Sequence, residues 1–379
     1  MSSGEIIAWN QQSRRPVRLA WAHGRITSLE PTDVNPSQAL WLAPPLVDLQ
    51  VNGFAGVDFQ QDDLTADELL RAVRGLRAAG CTRFLLTLVT DDWPRLMARL
   101  GHLRMLRGNS PEFAAAIAGW HVEGPFLSAE PGFCGAHDAS LMCDPKPEHI
   151  RQLHEITGND PVLLTLSPER ENAIAAVELA TSLGIKVSLG HTNASAEQLR
   201  QAIQHGASAF THLGNGCPRE LDRHDNILWR VFELEGMKVS VIPDGIHVSP
   251  ALFRLMHRQL PTDAIFYVSD AMAAAGAAPG RHRLGRLELE VGEDQIVRYP
   301  GRTNFAGSAL RPVDGVFRAA EMLGVPWQDA WARFSSSPAA LMGLNPGLNP
   351  GGPADFCLVE ATPENQLISL KVFVNGAAT

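Results

Sequence analysis

The chain has 379 residues, 45% hydrophobic and 19% charged, a balance that excludes disorder and fits two or three domains or one large α/β barrel. Its 32 basic and 41 acidic residues give a net charge of −9, and without a long basic block this excludes nucleic-acid binding as the main role. The five cysteines (Cys81, Cys134, Cys143, Cys217 and Cys357) are odd in number and show no CxxC spacing. That excludes a disulfide scaffold and points to a reducing, cytoplasmic setting. No signal-peptide core and no apolar run of about 18 residues occurs, so no membrane association is expected.

In chain order, residues 1–43 read as short strands (IIAW, VRLAW, RITSLE) separated by turn-forming stretches. After Pro44 and Pro45 apolar strand-like runs alternate with amphipathic stretches. The runs cover 46–52, 82–90, 115–123, 161–169, 186–193, 207–215, 238–247 and 264–271. Helical periodicity lies between most of them, as in LTADELLRAVRGLRAAG and SAEQLRQAIQHG, and Gly80, Gly184 and Gly206 stand where helix-to-strand turns want glycine. Eight such units predict a (β/α)8 barrel of the TIM type. The sixth crossing is the weakest, since PRELDRHDNILWRVFELEG is helical only in its second half.

Past Ala271, residues near 283–300 read as a hairpin, with Leu287, Leu289 and Val291 alternating before a Gly292-Glu293-Asp294 turn. Two helices follow, in SALRPVDGVFRAAEMLG and PWQDAWARFSSSPAALMG, and the end is strand-like again. The expected organisation is a catalytic barrel over 44–344, with the hairpin as an insertion. A small β-sandwich domain is expected to be built from both termini, 1–43 and 345–379.

Polar residues gather at the ends of the predicted strands: Gln50 and Asn52, Glu123, His191, His212 and Asn215, His247, and Asp270. Barrel enzymes place their chemistry at that end, where the βα loops converge. Glu123, His191 and His212 offer one carboxylate and two imidazoles, a set suited to Zn2+ or Fe2+ with a position left open for water. Asp270 beside such an ion can take a proton and return it. A lone histidine is usually a satisfied core or surface residue, and His23, His102, His149, His154, His205, His257 and His282 read that way. His121, two residues before Glu123, also reads as structural. Neither GxSxG nor GxGxxG occurs, so no serine nucleophile and no dinucleotide cofactor is implied.

The segments HVEGPFLS, GAHD, SLGHTNAS, THLGNG, DGIHV and VSDAM, in this order, resemble the amidohydrolase superfamily and within it the N-acetylglucosamine-6-phosphate deacetylase family. The resemblance spans nearly the whole chain. It implies metal-dependent hydrolysis of the acetamide of N-acetylglucosamine 6-phosphate. In this sequence Glu123, His191 and His212 would be ligands and Asp270 the general base and acid. His137 and His247 would orient the sugar and the acetamide carbonyl, and Asn215 with the backbone near Gly216 would approach the phosphate end. Many amidohydrolases carry HxH after the first strand; here Gln50-Val51-Asn52 stands there. Amides are poor Zn2+ ligands, so one divalent ion per subunit is expected, Zn2+ first and Fe2+ as the alternative.

The resemblance also implies a homodimer in which an arginine of a neighbouring subunit binds the phosphate. Arg223 is the nearest match and Arg219 the fallback. Leu213-Gly214-Asn215-Gly216-Cys217 and the run after it depart from the family pattern. Rival substrates are therefore N-acetylgalactosamine 6-phosphate, an unphosphorylated sugar or an N-acyl amino acid. A non-enzymatic sugar-phosphate sensor would be expected to lack a ligand or Asp270, and none is missing.

Overall fold

The computed structural model describes residues 3–37, 39–300 and 305–379. Eight parallel strands make the central sheet: β1 (Leu46–Val51), β2 (Cys81–Val89), β3 (Ile117–Glu123), β4 (Val162–Leu166), β5 (Lys186–Leu189), β6 (Ala207–Phe210), β7 (Lys238–Val241) and β8 (Ile265–Tyr267). Each pairs with its successor, and a parallel bridge between Val51 and Ala271 brings the first strand to the last. The expected barrel is what forms. Val47, Leu49, Leu85, Leu163 and Phe266 come from opposite sides of the sheet and pack together on its axis with Leu310, Ala339 and Met342. The interior is a filled core, as close packing of strands with branched side chains demands.

Helices return the chain between strands and bury an apolar stripe against the sheet. Helix Ala66–Ala78 begins with a reciprocal capping box between Thr65 and Glu68 and buries Leu69, Ala72, Val73 and Leu76. Its chain reverses at Gly80, which sits at φ +85°, a conformation costly for any residue with a Cβ. Two helices were not read from the pattern. Pro111–Ala116 takes residues that looked like the start of β3, and Pro147–Thr157 lies between β3 and β4. The predicted second C-terminal helix is interrupted: Trp327–Trp331 and Ser336–Leu341 flank a 3-10 turn, with Ser335 at φ −131°, ψ −89° outside the helical region. Residues 280–298 carry three antiparallel strands (Gly280–Leu284, Leu287–Val291 and Val297–Arg298), one more than the predicted hairpin. The sharp turn at Gly285-Arg286 adds it.

The termini meet in one seven-stranded sheet. In spatial order its strands are Ala377–Ala378, Leu367–Val374, Phe356–Ala361, Leu40–Ala43, Gly4–Asn10, Pro16–Ala22 and Arg25–Pro31. Its core is aromatic: the Phe356 ring stacks on Phe373 at 4.4 Å between centroids and tilts against Trp21 at 5.1 Å. Trp41 meets Trp327 edge-on at 6.0 Å, and Trp331 Nε1 donates to Pro44 O at 2.9 Å, so the sheet is fixed to the barrel. No helix among the described residues is long and apolar enough to cross a membrane.

Phe356→Ala removes a fully buried ring from that core and is expected to cost about 3–5 kcal/mol. Denaturant unfolding checks the loss. Activity per folded molecule is expected to hold, because the ring lies in the terminal sheet.

Candidate active site

Each functional side chain stands at or just past the carboxyl end of a barrel strand. Glu123 is the last residue of β3, His191 and His212 follow β5 and β6 by two residues, and Asp270 follows β8 by three. His191, His212 and Asp270 all have positive φ, +51°, +33° and +51°. Non-glycine residues occupy this region at a cost and hold it only where the surroundings over-determine it. The left-handed step turns the chain away from the strand direction at all three positions.

Three donor atoms converge. His212 Nε2 is 2.9 Å and His191 Nε2 is 3.4 Å from Glu123 Oε1, and the two nitrogens are 3.2 Å apart. A tetrahedral Zn2+ with bonds of about 2.0–2.2 Å has ligand-to-ligand edges of about 3.3–3.6 Å, so the triangle fits one ion. All three side chains are buried, and they form the one metal-capable cluster among the described residues. His191 Nδ1 donates to Phe133 O at 2.9 Å, which leaves the Nε2 lone pair free for a cation. Burial opposes a charge on Glu123, but the His191 and His212 imidazoles beside it hold its carboxyl well below the usual range. For His212, burial is outweighed by the Glu123 hydrogen bond and charge, and its value is raised. Gln50 Nε2 donates to Glu123 Oε1 at 3.1 Å. Three polar atoms here, Gln50 Oε1, Asn52 Oδ1 and His212 Nδ1, find no partner, as expected of a site that completes its bonding with a ligand or water.

Asp270 is partly open to the cleft and accepts from Asn52 Nδ2 at 2.7 Å. Burial, then the Glu123 charge, pushes its carboxyl up to about 6. His137 Nδ1 and Thr90 Oγ1 share a hydrogen bond of 2.9 Å, and burial with the neighbouring His191 brings this imidazole down to about 3, so it is neutral. His247 Nδ1 donates to Asp244 Oδ2 at 2.6 Å, while Asp244 Oδ1 accepts from the Ile246 and His247 amides.

Of the residues singled out in the sequence, Asn52, Glu123, His137, His191, His212, Asn215, Gly216, His247 and Asp270 line one cleft, as a site for a small ligand requires. Gln50 stands behind Glu123. Arg223 is exposed and does not line the cleft. His121 is buried beneath Glu123 and bonds Thr165 Oγ1 at 2.8 Å. Burial holds it neutral, down to about 4, and it is no ligand. It belongs to a belt of buried hydroxyls in which Thr211 Oγ1 bonds both Thr165 Oγ1 and Ser188 Oγ.

Several contributors escaped the sequence reading. Leu284 and Phe305 form cleft walls but come from the insertion and the loop after it, where nothing marked them. Thr90 and Asp244 hold His137 and His247; a signal existed for Asp244, three residues before His247 in an Asx turn. The glycines have a further use. A Cβ on Gly135 would stand 2.7 Å from His191 Cε1, and one on Gly216 would stand 2.9 Å from His191 Nδ1. The imidazole is thus confined between two bare backbones. Gly216→Ala is expected to displace the ring and weaken metal binding about 10–100-fold, read by titrating the metal-stripped protein with Zn2+.

No family model matches the chain. N-acetylglucosamine-6-phosphate deacetylase of Danio rerio is 32% identical over 331 residues, 84% of this chain and 80% of that protein. The Bos taurus enzyme is 33% identical over 84% and 79%. Among solved structures, an aspartate-to-alanine mutant of the Mycobacterium smegmatis deacetylase in complex with N-acetyl-D-glucosamine-6-phosphate superposes with TM-score 0.88 at 30% identity, covering 100% of this chain and 99% of that one. A Xaa-Pro dipeptidase at 14% identity and TM-score 0.59 shares the fold alone.

Proposed function

The chain belongs to the N-acetylglucosamine-6-phosphate deacetylase family, enzymes on the amidohydrolase barrel, and we propose that it hydrolyses N-acetylglucosamine 6-phosphate to glucosamine 6-phosphate and acetate. The observation that carries this reading is the convergence of Glu123, His191 and His212 in one cleft with Asp270. Those three would hold one divalent cation, Zn2+ before Fe2+, because imidazole and carboxylate accept either. When bound, the ion supplies Lewis acidity, lowering the pKa of water and polarising the acetamide carbonyl.

The chain's own groups do the rest. Asp270, steadied by Asn52, takes a proton from the attacking water and delivers it to the departing sugar nitrogen, so that one carboxylate serves as base and then acid. Thr90 can donate to His137 Nδ1, which leaves Nε2–H to donate toward the acetamide oxygen. His247, its Nδ1–H taken by Asp244, presents Nε2 to a sugar hydroxyl. Asn215 and the Gly216 backbone face the phosphate end. Arg223 would reach the phosphate across a homodimer interface, since its exposed position keeps it out of its own subunit's cleft. The five free cysteines support a cytoplasmic setting.

Comparing turnover of phosphorylated and unphosphorylated N-acetylhexosamines, with metal analysis of the purified protein, tests the reading. Equal kcat/KM on both classes, or full activity after chelation, would overturn it. Asp270→Asn is expected to retain its metal and lose nearly all turnover. In the wild type kcat/KM is expected to fall with decreasing pH as Asp270 gains a proton. That limb lies near or below pH 6, since a bound cation favours the ionised form. Arg223→Ala is expected to raise KM about tenfold or more for the phosphorylated substrate and leave unphosphorylated sugars unaffected, as loss of a bidentate phosphate contact would; steady-state kinetics on both substrates decides it.

A further inference from the structure

Asp48 is a fully buried carboxylate in β1 that the reaction does not use. No ion pair reaches it among the described residues. Burial pushes its carboxyl up to about 7, partly offset by hydrogen bonds from Ser269 and Gln50. A buried acid without a cation is expensive, so its contacts need an account.

Those contacts run to the two strands that close the barrel. The pairing of β1 with β2 shifts register between Asp48 and Val51, and Gln50 N donates to Asp48 Oδ1 at 3.1 Å. From the far side of the seam Ser269 N donates to both carboxylate oxygens at 3.2 Å. Oδ1 thus accepts from both N–H groups, and the Ser269 N–H is shared with Oδ2, so both oxygens face donors. Ser269 precedes Asp270, whose φ is +51°. The next peptide, between Ser269 and Asp270, is held at its carbonyl by Ser308 Oγ at 2.6 Å, and Ser308 N donates to Asp270 O at 2.9 Å. Gln50 in turn places its amide on Glu123, and Asn52 places its own on Asp270.

We infer that Asp48 is a positioning residue for hydrolysis: its carboxylate fixes the Ser269 peptide, and through it the left-handed backbone and side-chain direction of Asp270. The inference rests on Asp270 as the acid and base. In Asp48→Asn one of the two oxygens facing Ser269 N becomes an N–H donor, so a donor faces a donor and the grip on that amide weakens. The expected result is a fall in kcat of at least tenfold, with KM within twofold and metal content unchanged. In the Asp48→Asn/Asp270→Asn double variant the two losses are expected not to add, because one residue acts through the other.

A merely structural role would lower thermal stability and the folded fraction while leaving kcat per folded, metal-loaded molecule at the wild-type value. That result, or fully additive losses, overturns the inference. Ser308→Ala loosens the other side of Ser269, at the peptide that leads into Asp270, without disturbing a buried charge, and covers the case in which Asp48→Asn does not fold. A drop in its kcat at constant KM supports the clamp, and an unchanged kcat overturns it. Should Asp270→Asn keep its turnover, the catalytic reading falls as well. Should Asp270→Asn be inactive while Asp48→Asn turns over normally, only this inference falls.

Discussion

A carboxylate and two imidazoles from three different strands must bring their donor atoms within 2.9–3.4 Å of one another in a buried place. Such crowding is unfavourable without charge compensation, and the surroundings of the site answer that demand. Phe133 O fixes the tautomer of His191, Gln50 donates to the Glu123 oxygen, and two glycines leave the space that the His191 ring fills. The backbone takes a share as well, since His191 and His212 hold left-handed conformations that only a rigid frame sustains.

The frame is layered. Apolar side chains from opposing strands fill the barrel axis, and above them lies the belt of Thr165, Ser188, Thr211 and His121, whose polar atoms satisfy one another. The Glu123, His191 and His212 cluster sits on that belt. A polar layer whose members pair internally can be buried beneath a charged centre without leaving unpaired groups. It also explains why His121 is neutral and bound to a hydroxyl, although it is only two residues from Glu123.

Two carboxylates, Glu123 and Asp270, occupy the same cleft with opposite tendencies. The neighbouring imidazoles keep Glu123 ionised, whereas burial and the Glu123 charge make Asp270 readier to hold a proton. Environments that push two acids apart suit them to different tasks, which is how the proposed reaction uses them. Asn52 contributes by donating to Asp270, a task for which an amide is suited and a ligand histidine is not.

Much of this was legible in the linear order of residues. Alternating strand and helix periods announce the barrel, because a parallel sheet needs a crossover between neighbours. Polar residues at strand ends announce the site, because all eight ends point to one face. The helix Pro111–Ala116 was not legible, being only six residues long, whereas Pro147–Thr157 buries Ile150, Leu153 and Thr157 at helical spacing, a signal that was present and missed. Contacts across the seam were also hidden: Asp48 and Ser269 are 221 residues apart, and nothing local marks them as partners. The sequence by itself determined which chemistry is present, since residue types and their strand positions are local properties. Only the tertiary structure decided how those groups are aimed, which tautomers they hold and that Arg223 stands outside its own cleft, because these depend on long-range neighbours and burial.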